Sequence, residues 1–138
     1  MTSAIEPHEI ELKVQKEDID MLGHVNNVVF LRWVQDAAVA HWFAKATQED
    51  QESLFWVVLR HEIDYKHPAY LEDAIVARTW VGTASRRAFE RHTEILRAAD
   101  RKLLAKARTL WCPLDRNTGK PTDVSDDVRR RFSVESNP

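Results

Sequence analysis

Apolar and polar positions in this chain alternate, give way to one long apolar run, and then alternate again. Ile10-Glu11-Leu12-Lys13-Val14 alternates as a half-buried strand does. Val28 to Ala46 holds no Gly or Pro and is apolar almost all round, with Arg32 and Asp36 one turn apart as its main polar stripe; this predicts a buried helix. Alternation returns from Trp56, which puts Val57, Leu59, His61, Ile63 and Tyr65 on one face and Arg60, Glu62, Asp64 and Lys66 on the other, until Pro68 interrupts pairing. Ile75 to Thr83, Phe89 to Leu96 and Leu103 to Cys112 read as three more strands. Ser125 can cap a short helix with Asp126 and Asp127 in its first turn and Arg129 to Arg131 in its last, the charge order that the helix dipole favours. Residues 1–7 and 133–138 are expected to be loose ends.

One helix followed by a run of antiparallel strands is an α+β pattern, and 138 residues fit one domain spanning 1–138. A sheet curling round one apolar helix leaves its other face to water or a partner. Val76 and Trp80, opposite Ile75, Ala77 and Val81, make that face less than wholly polar and predict self-association. A net charge of −2 with mixed signs gives no global pull towards nucleic acid or an anionic membrane, so any anion site is local. No leader-like or membrane-spanning apolar run is seen, and the cytoplasm is the default location. The lone Cys112 has no internal disulfide partner and reads as a strand residue beside Trp111, without a catalytic role.

The chemistry concentrates in Asp18-Ile19-Asp20-Met21-Leu22-Gly23-His24-Val25-Asn26-Asn27. Asn26 or Asn27 is the natural N-cap of the long helix. The free first-turn amides and the positive end of the helix dipole then face the Asp20 loop. Acyl transfer needs a base or nucleophile beside donors aimed at a carbonyl oxygen that gains negative charge, and this segment can supply both. On local chemistry alone, turn and capping hydrogen bonds account for the same residues.

The run Glu17-Asp18-Ile19-Asp20-x-x-Gly23-His24-Val25-Asn26-Asn27-x-x-Phe30-x-Arg32-Trp33 resembles the signature of the 4-hydroxybenzoyl-CoA thioesterase-like, or hotdog, acyl-CoA thioesterases. The resemblance extends more weakly through Ile63-Asp64-Tyr65 and Pro68, the Ser85-Arg86 turn and Asn117 to Pro121. It implies a five-stranded antiparallel sheet wrapped around one long central helix, and a homodimer or homotetramer with active sites near the protomer interface. It implies an acyl-CoA thioester substrate and no cofactor or metal. Asp20 matches the family's acid, either attacking the thioester carbonyl or activating a water; Asp18 is read as a turn or dipole carboxylate. The main-chain N–H of Asn27 falls where the family presents a donor to the thioester oxygen. Gly23 lets the loop turn sharply, and His24 shapes the loop, with catalysis as its lesser reading.

Arg86 and Arg87 fall where the family grips the nucleotide end of coenzyme A, and guanidinium can hold phosphate through two parallel hydrogen bonds. Ser85 is an accessory polar contact there. His61 is expected on the core face of its strand near the acyl pocket; with Glu62 and His67 it lacks metal-ligand spacing. Phe30, Trp33 and Val57 suit either an acyl tunnel or a plain core, so fatty-acyl and aryl thioesters both stay open. Two other readings are a non-catalytic acyl-CoA-binding module and a hotdog enoyl-CoA hydratase, whose Asp-to-His spacing is longer than that from Asp20 to His24.

Overall fold

The computed structural model describes residues 5–135. Strand β1 (His8–Lys13) leads through a 3-10 turn at Lys16–Asp18 into helix α1 (Asn27–Lys45), and a second, short helix α2 (Gln48–Ser53) follows. Four long strands come next: β2 (Leu54–Tyr65), β3 (Ala74–Ala84), β4 (Phe89–Arg97) and β5 (Leu103–Asp115). Helix α3 (Asp126–Phe132) and strand β6 (Ser133–Glu135) complete the described chain. The sheet runs β1-β3-β4-β5-β2, all antiparallel, and β6 adds a short parallel pairing to β3 at Val81 and Thr83. The five-stranded antiparallel sheet wrapped around one helix is the hotdog arrangement, in the α+β class.

The sheet can close on α1 because its inner face is built of small residues. The register sets Thr79 opposite Thr93, Thr93 opposite Ala107 and Ala107 opposite Ile63, while Ala77, Ile95 and Ala105 form the next row. Ala37 on the helix is fully buried and Trp33, at 2% exposure, fills the space between. The core divides along the helix. Its N-terminal half packs Val29, Phe30, Trp33 and Val34 against Ile75, Ala77, Ile95 and Leu104. Its C-terminal end packs Trp42 with Val81, Ala84, Phe89 and Phe132.

Three sequence expectations change. Helix α1 is buried on one face only: Val28, Val39 and Phe43 are exposed, because one curled sheet covers only the side that faces it. In β2 the alternation breaks at a bulge between Val58 and Arg60, where Leu59 has no partner on β5. One extra residue shifts the phase, so Trp56 and Val58 face the helix before the bulge and His61 and Ile63 after it, while Val57 and Leu59 point outward. Ser133 to Glu135, expected as part of a loose end, pair with β3, because Phe132 just before them is wholly buried in the second cluster. Residues 1–4 and 136–138 of the expected loose ends lie outside the described residues.

The outer face of the sheet carries a charge ladder rather than a bare apolar patch. Arg108 bridges Glu62 and Glu90, Arg78 bonds Glu94, and Trp80 is stacked on His92 with the Arg78 guanidinium over its ring.

Buried polarity appears on the inner face at His41 and Arg91. Arg91 Nη1 donates to His41 Nδ1 at 2.9 Å, and since guanidinium only donates, the imidazole accepts and is neutral. Burial, then the charge of Arg91, hold the His41 pKa down to about 3. An unfolded histidine takes up its proton below about pH 6.5, so the stability tied to neutral His41 is complete above that pH and drains away as the pH falls towards about 3. The melting temperature is therefore expected to drop between pH 7 and pH 4, and His41→Asn, which keeps an acceptor for Arg91, should flatten that drop. Parallel pH profiles of the two proteins in thermal denaturation would remove His41 from this role.

Candidate active site

The loop before α1 is held by two carboxylates that are used differently. Asp18, at 3% exposure, accepts from the Gln15 N–H at 2.8 Å and from Arg32 Nη2 at 3.0 Å, so both of its oxygens are engaged. This ties β1 to the helix one and a half turns from its start and agrees with the structural reading of Asp18. Asp20 is half-buried; its Oδ1 accepts from the Leu22 N–H at 2.9 Å, and its Oδ2 accepts no hydrogen bond from the described residues.

The loop closes tightly around Asp20. Ile19 and Val25 form an isolated bridge, the Asp20 N–H donates to the His24 carbonyl at 3.0 Å, and the Gly23 N–H donates to the Asp20 carbonyl at 3.0 Å. Gly23 sits at φ +84°, a conformation that costs a side-chain-bearing residue backbone strain. His24 is half-buried with Nδ1 3.3 Å from the Val25 carbonyl, a contact within the loop's own backbone. Two further bonds fix the loop to its surroundings, Asn26 N–H to the Asp18 carbonyl at 2.9 Å and Val25 N–H to the Ala69 carbonyl at 2.8 Å.

Asn26 is the N-cap: its Oδ1 accepts from the Val28 N–H at 2.9 Å. Asn27 is thus the first helical residue, and its N–H belongs to the first-turn amides that have no intrahelical acceptor. The positive end of a helix of 19 residues converges there. A residue not foreseen for the site joins them: Tyr65 Oη donates to the Asn27 carbonyl at 3.1 Å and its ring meets Phe30 edge-on. The alternation of β2 had put Tyr65 on the helix-facing side, and partial burial raises its phenol pKa.

The other expected binders lie elsewhere. Ser85 makes the β3–β4 turn, exchanging bonds with Ala88. Arg87 Nε is 2.7 Å and Arg86 Nη1 3.8 Å from the Asp123 carboxylate, and both guanidinium groups are mostly exposed. This turn adjoins the second cluster, with Ala84 and Phe89, whereas the Asp20 loop adjoins the first. Within one chain the two sets are not brought together. His61 does face the helix, as expected, with Nδ1 2.9 Å from Thr109 Oγ1; burial lowers its pKa. Phe30 and Trp33, both at 2% exposure, are core, while Val57 faces outward and lines no inner wall. Cys112 is buried with its thiol near the Pro113 carbonyl.

A curled sheet thus wraps one helix, with Asp20 in a tight loop just before the free Asn27 N–H. The family model of the thioesterase-like superfamily matches residues 14–132, and the chain belongs to that superfamily. It is 29% identical over 93 residues to oleoyl-acyl carrier protein thioesterase 1 of Arabidopsis thaliana, covering 67% of this chain and 25% of that protein. A Coriandrum sativum oleoyl-acyl carrier protein thioesterase is 30% identical over 82 residues, covering 59% of this chain and 22% of the other. The matched part thus spans about a quarter of these curated relatives. Among solved structures, a Thermus thermophilus thioesterase complexed with coenzyme A and Zn superposes with a TM-score of 0.78 at 23% identity, over 93% of this chain and 97% of that one. A 1,4-dihydroxy-2-naphthoyl-CoA thioesterase from Synechocystis gives 0.77 at 21% identity, over 91% and 94%. These structural likenesses speak to the fold. No helix of the described residues is long and apolar enough to cross a membrane.

The two aspartates should separate in an unfolding experiment. Asp18→Ala removes a buried carboxylate with its bonds to the Gln15 N–H and Arg32 and is expected to cost about 1–3 kcal/mol, while Asp20→Asn, at a half-exposed loop position, should stay within about 0.5 kcal/mol of the native protein. Urea denaturation followed by circular dichroism reads both, and equal losses would contradict the division of roles.

Proposed function

We propose that this protein is an acyl-CoA thioesterase, hydrolysing a fatty-acyl or aryl thioester to the free acid and coenzyme A. The observation that carries the reading is the free Oδ2 of Asp20 in a tight loop that leads directly to the Asn27 N–H, the one first-turn amide of α1 with no acceptor among the described residues. In the base form of the mechanism, Asp20 takes a proton from water as the water oxygen bonds to the thioester carbonyl carbon. The carbonyl oxygen gains a negative charge and the Asn27 N–H stabilises it, a donor typically worth about 10²–10³ in rate. The tetrahedral intermediate then collapses, the C–S bond breaks, and the proton goes to the departing thiolate. In the nucleophilic form, an Asp20 carboxylate oxygen bonds to the carbonyl carbon, the C–S bond breaks as coenzyme A departs as the thiolate, and water then hydrolyses the resulting anhydride, freeing the acid and Asp20 and giving its proton to the thiolate. Gly23 and His24 shape the loop, and His61 belongs to the wall behind it.

The active form we propose is a homodimer built on β2, or a tetramer made of two such dimers. Among the described residues no strand pairs with the outer edge of β2 along its 12 residues, and Phe55, Val57 and Leu59 are exposed on it, which makes it a template for a second strand. Two β2 edges paired antiparallel about a two-fold axis would lay the Tyr65 end of one copy, which touches Asn27, beside the Leu54 end of the other. That end lies on the same side of the sheet as the Ser85–Arg87 turn. This supports a coenzyme A that spans two copies, its thioester at Asp20 of one and its phosphates on Arg86 and Arg87 of the other, with Ser85 as an accessory contact. A coenzyme A substrate also favours the cytoplasm as its place of work.

Thiol release from acetyl-, medium-chain, long-chain and aryl-CoA thioesters tests the reading. Asp20→Asn should retain the oligomer and the far-ultraviolet circular dichroism and lose about 10²-fold or more in kcat; native turnover in that variant would sink the mechanism. Binding of these thioesters with no thiol released from any of them would favour the acyl-CoA-binding module instead. Arg86→Ala with Arg87→Ala should raise KM for coenzyme A thioesters more than for short thioesters that lack the nucleotide, and equal effects on the two would make the turn structural.

A further inference from the structure

A donor stabilises a developing charge only where it is aimed beforehand, because hydrogen bonds weaken steeply with angle and a misplacement of about 1 Å can cost about 10²-fold in rate. Two bonds shape the first turn of α1 from within. The Val29 N–H donates to the Asn26 carbonyl at 2.9 Å, which orients the peptide that carries the Asn27 N–H, and the Val28 N–H donates to Asn26 Oδ1 at 2.9 Å. Both lie inside residues 26–29, so they give the turn its shape without placing it against the sheet. Core packing begins one step further in. Val29 and Phe30 are buried, whereas Asn27 is exposed and Val28 is 71% exposed, so the first two helical residues have no buried side chain of their own to hold them.

Tyr65 supplies the missing tie. Its Oη donates to the Asn27 carbonyl at 3.1 Å, and among the described residues it is the only side chain from outside the loop that hydrogen-bonds to residue 27 or 28. A carbonyl has two lone pairs, so this bond adds to the helix's own ladder without displacing it. The tyrosine is itself held from three directions. It pairs opposite Ala105 at the end of β2, the Lys66 and His67 N–H groups just beyond it donate to the Leu104 carbonyl at 2.8 and 3.0 Å, and its ring meets the buried Phe30 edge-on at 5.7 Å. Partial burial raises the phenol pKa, so the hydroxyl keeps its proton and remains a donor throughout the neutral range.

We propose that Tyr65 is a positioning residue for hydrolysis: through the Asn27 carbonyl its hydroxyl ties the first turn of α1 to the sheet and keeps the Asn27 N–H aimed at the thioester oxygen. This role, which rests on the thioesterase reading above, needs no contact between Tyr65 and the substrate. The oxygen is close to neutral in the bound thioester and carries a full charge in the tetrahedral intermediate. A loosened donor therefore costs turnover and spares substrate binding.

Tyr65→Phe keeps the ring against Phe30 and removes only the hydroxyl, so its far-ultraviolet circular dichroism and its elution in size-exclusion chromatography should match the native protein. With an acyl-CoA that the native protein hydrolyses, kcat should fall about 10-fold or more while KM stays within about two-fold. Two unreactive analogues of that thioester separate aim from general damage: a trifluoromethyl ketone, whose hydrated carbon presents tetrahedral oxygens, and a thioether with a methylene in place of the carbonyl. The variant should bind the ketone about 10-fold or more weakly and the thioether as the native protein does. Equal weakening of the two analogues would overturn the proposal. Thiol release that is lost in Asp20→Asn yet unchanged in Tyr65→Phe would overturn this role alone, whereas no thiol release by the native protein from any thioester would overturn the thioesterase reading and this role with it.

Discussion

The rest of the structure depends on how closely one helix approaches one sheet. Trp33 lies within that contact, in one buried cluster with Ala77, Ala105 and Ala107 of the strands and Ala37 of the helix, small residues that leave room for its ring. Close-packed interiors transmit the position of one element to the next. Fixing α1 at this depth fixes where its first turn emerges, so the Asn26 cap and the Asn27 amide are set by core packing as much as by loop sequence. Tyr65 completes the coupling, because the last residue of β2 donates directly to the Asn27 carbonyl.

The inner face is not uniformly apolar, and its polar residues fall in register. Val81, Arg91, Thr109 and His61 lie opposite one another across β3, β4, β5 and β2. Thr79 and Thr93, one row away, satisfy each other at 3.1 Å, with Thr79 also bonded to the His92 carbonyl. The row through Arg91 is different in kind, since among the described residues His61 Nε2 has no hydrogen-bond partner and Arg91 has only neutral ones. This row marks the boundary between the two hydrophobic clusters, so the helix crosses a polar band between the cluster of Phe30 and Trp33 at its N-terminal half and that of Trp42 and Phe132 at its C-terminal end.

Long periodic segments were legible in the sequence because their burial pattern is their signal. Helix α1 and the five antiparallel strands follow from it, as does the capping of α3 by Ser125. The bulge was not legible: Val57-Val58-Leu59 is apolar at every position, so it carries no phase, and the reversal shows only where Leu59 fails to find a partner on β5. Helix α2 buries none of its residues and left no periodic trace beyond the Thr47 cap. Strand β6 forms because Phe132 docks, a tertiary cause that no local pattern of Ser133 to Glu135 contains. Arg91 could have been found, since the alternation Phe89, Arg91, Thr93, Ile95 puts a cation on a core face; that conflict between residue type and position was the available signal.

The candidate site turns on the difference between Asp18 and Asp20, two identical side chains two residues apart. Asp18 engages both oxygens, with Gln15 and Arg32, and is nearly sealed from water, so it has no open face to offer a reactant. Asp20 uses one oxygen to hold Leu22 in place and keeps the other. A base or nucleophile needs both a fixed orientation and an unused lone pair, and only the second aspartate has the two together. The same logic applies to the donors: helix amides from the second residue on are capped or paired, while the Asn27 N–H remains available because it is first. Reactivity in this loop thus resides in the few groups that folding leaves unsatisfied, and the surrounding bonds of Gly23, His24 and Asn26 serve to keep those groups unsatisfied and still.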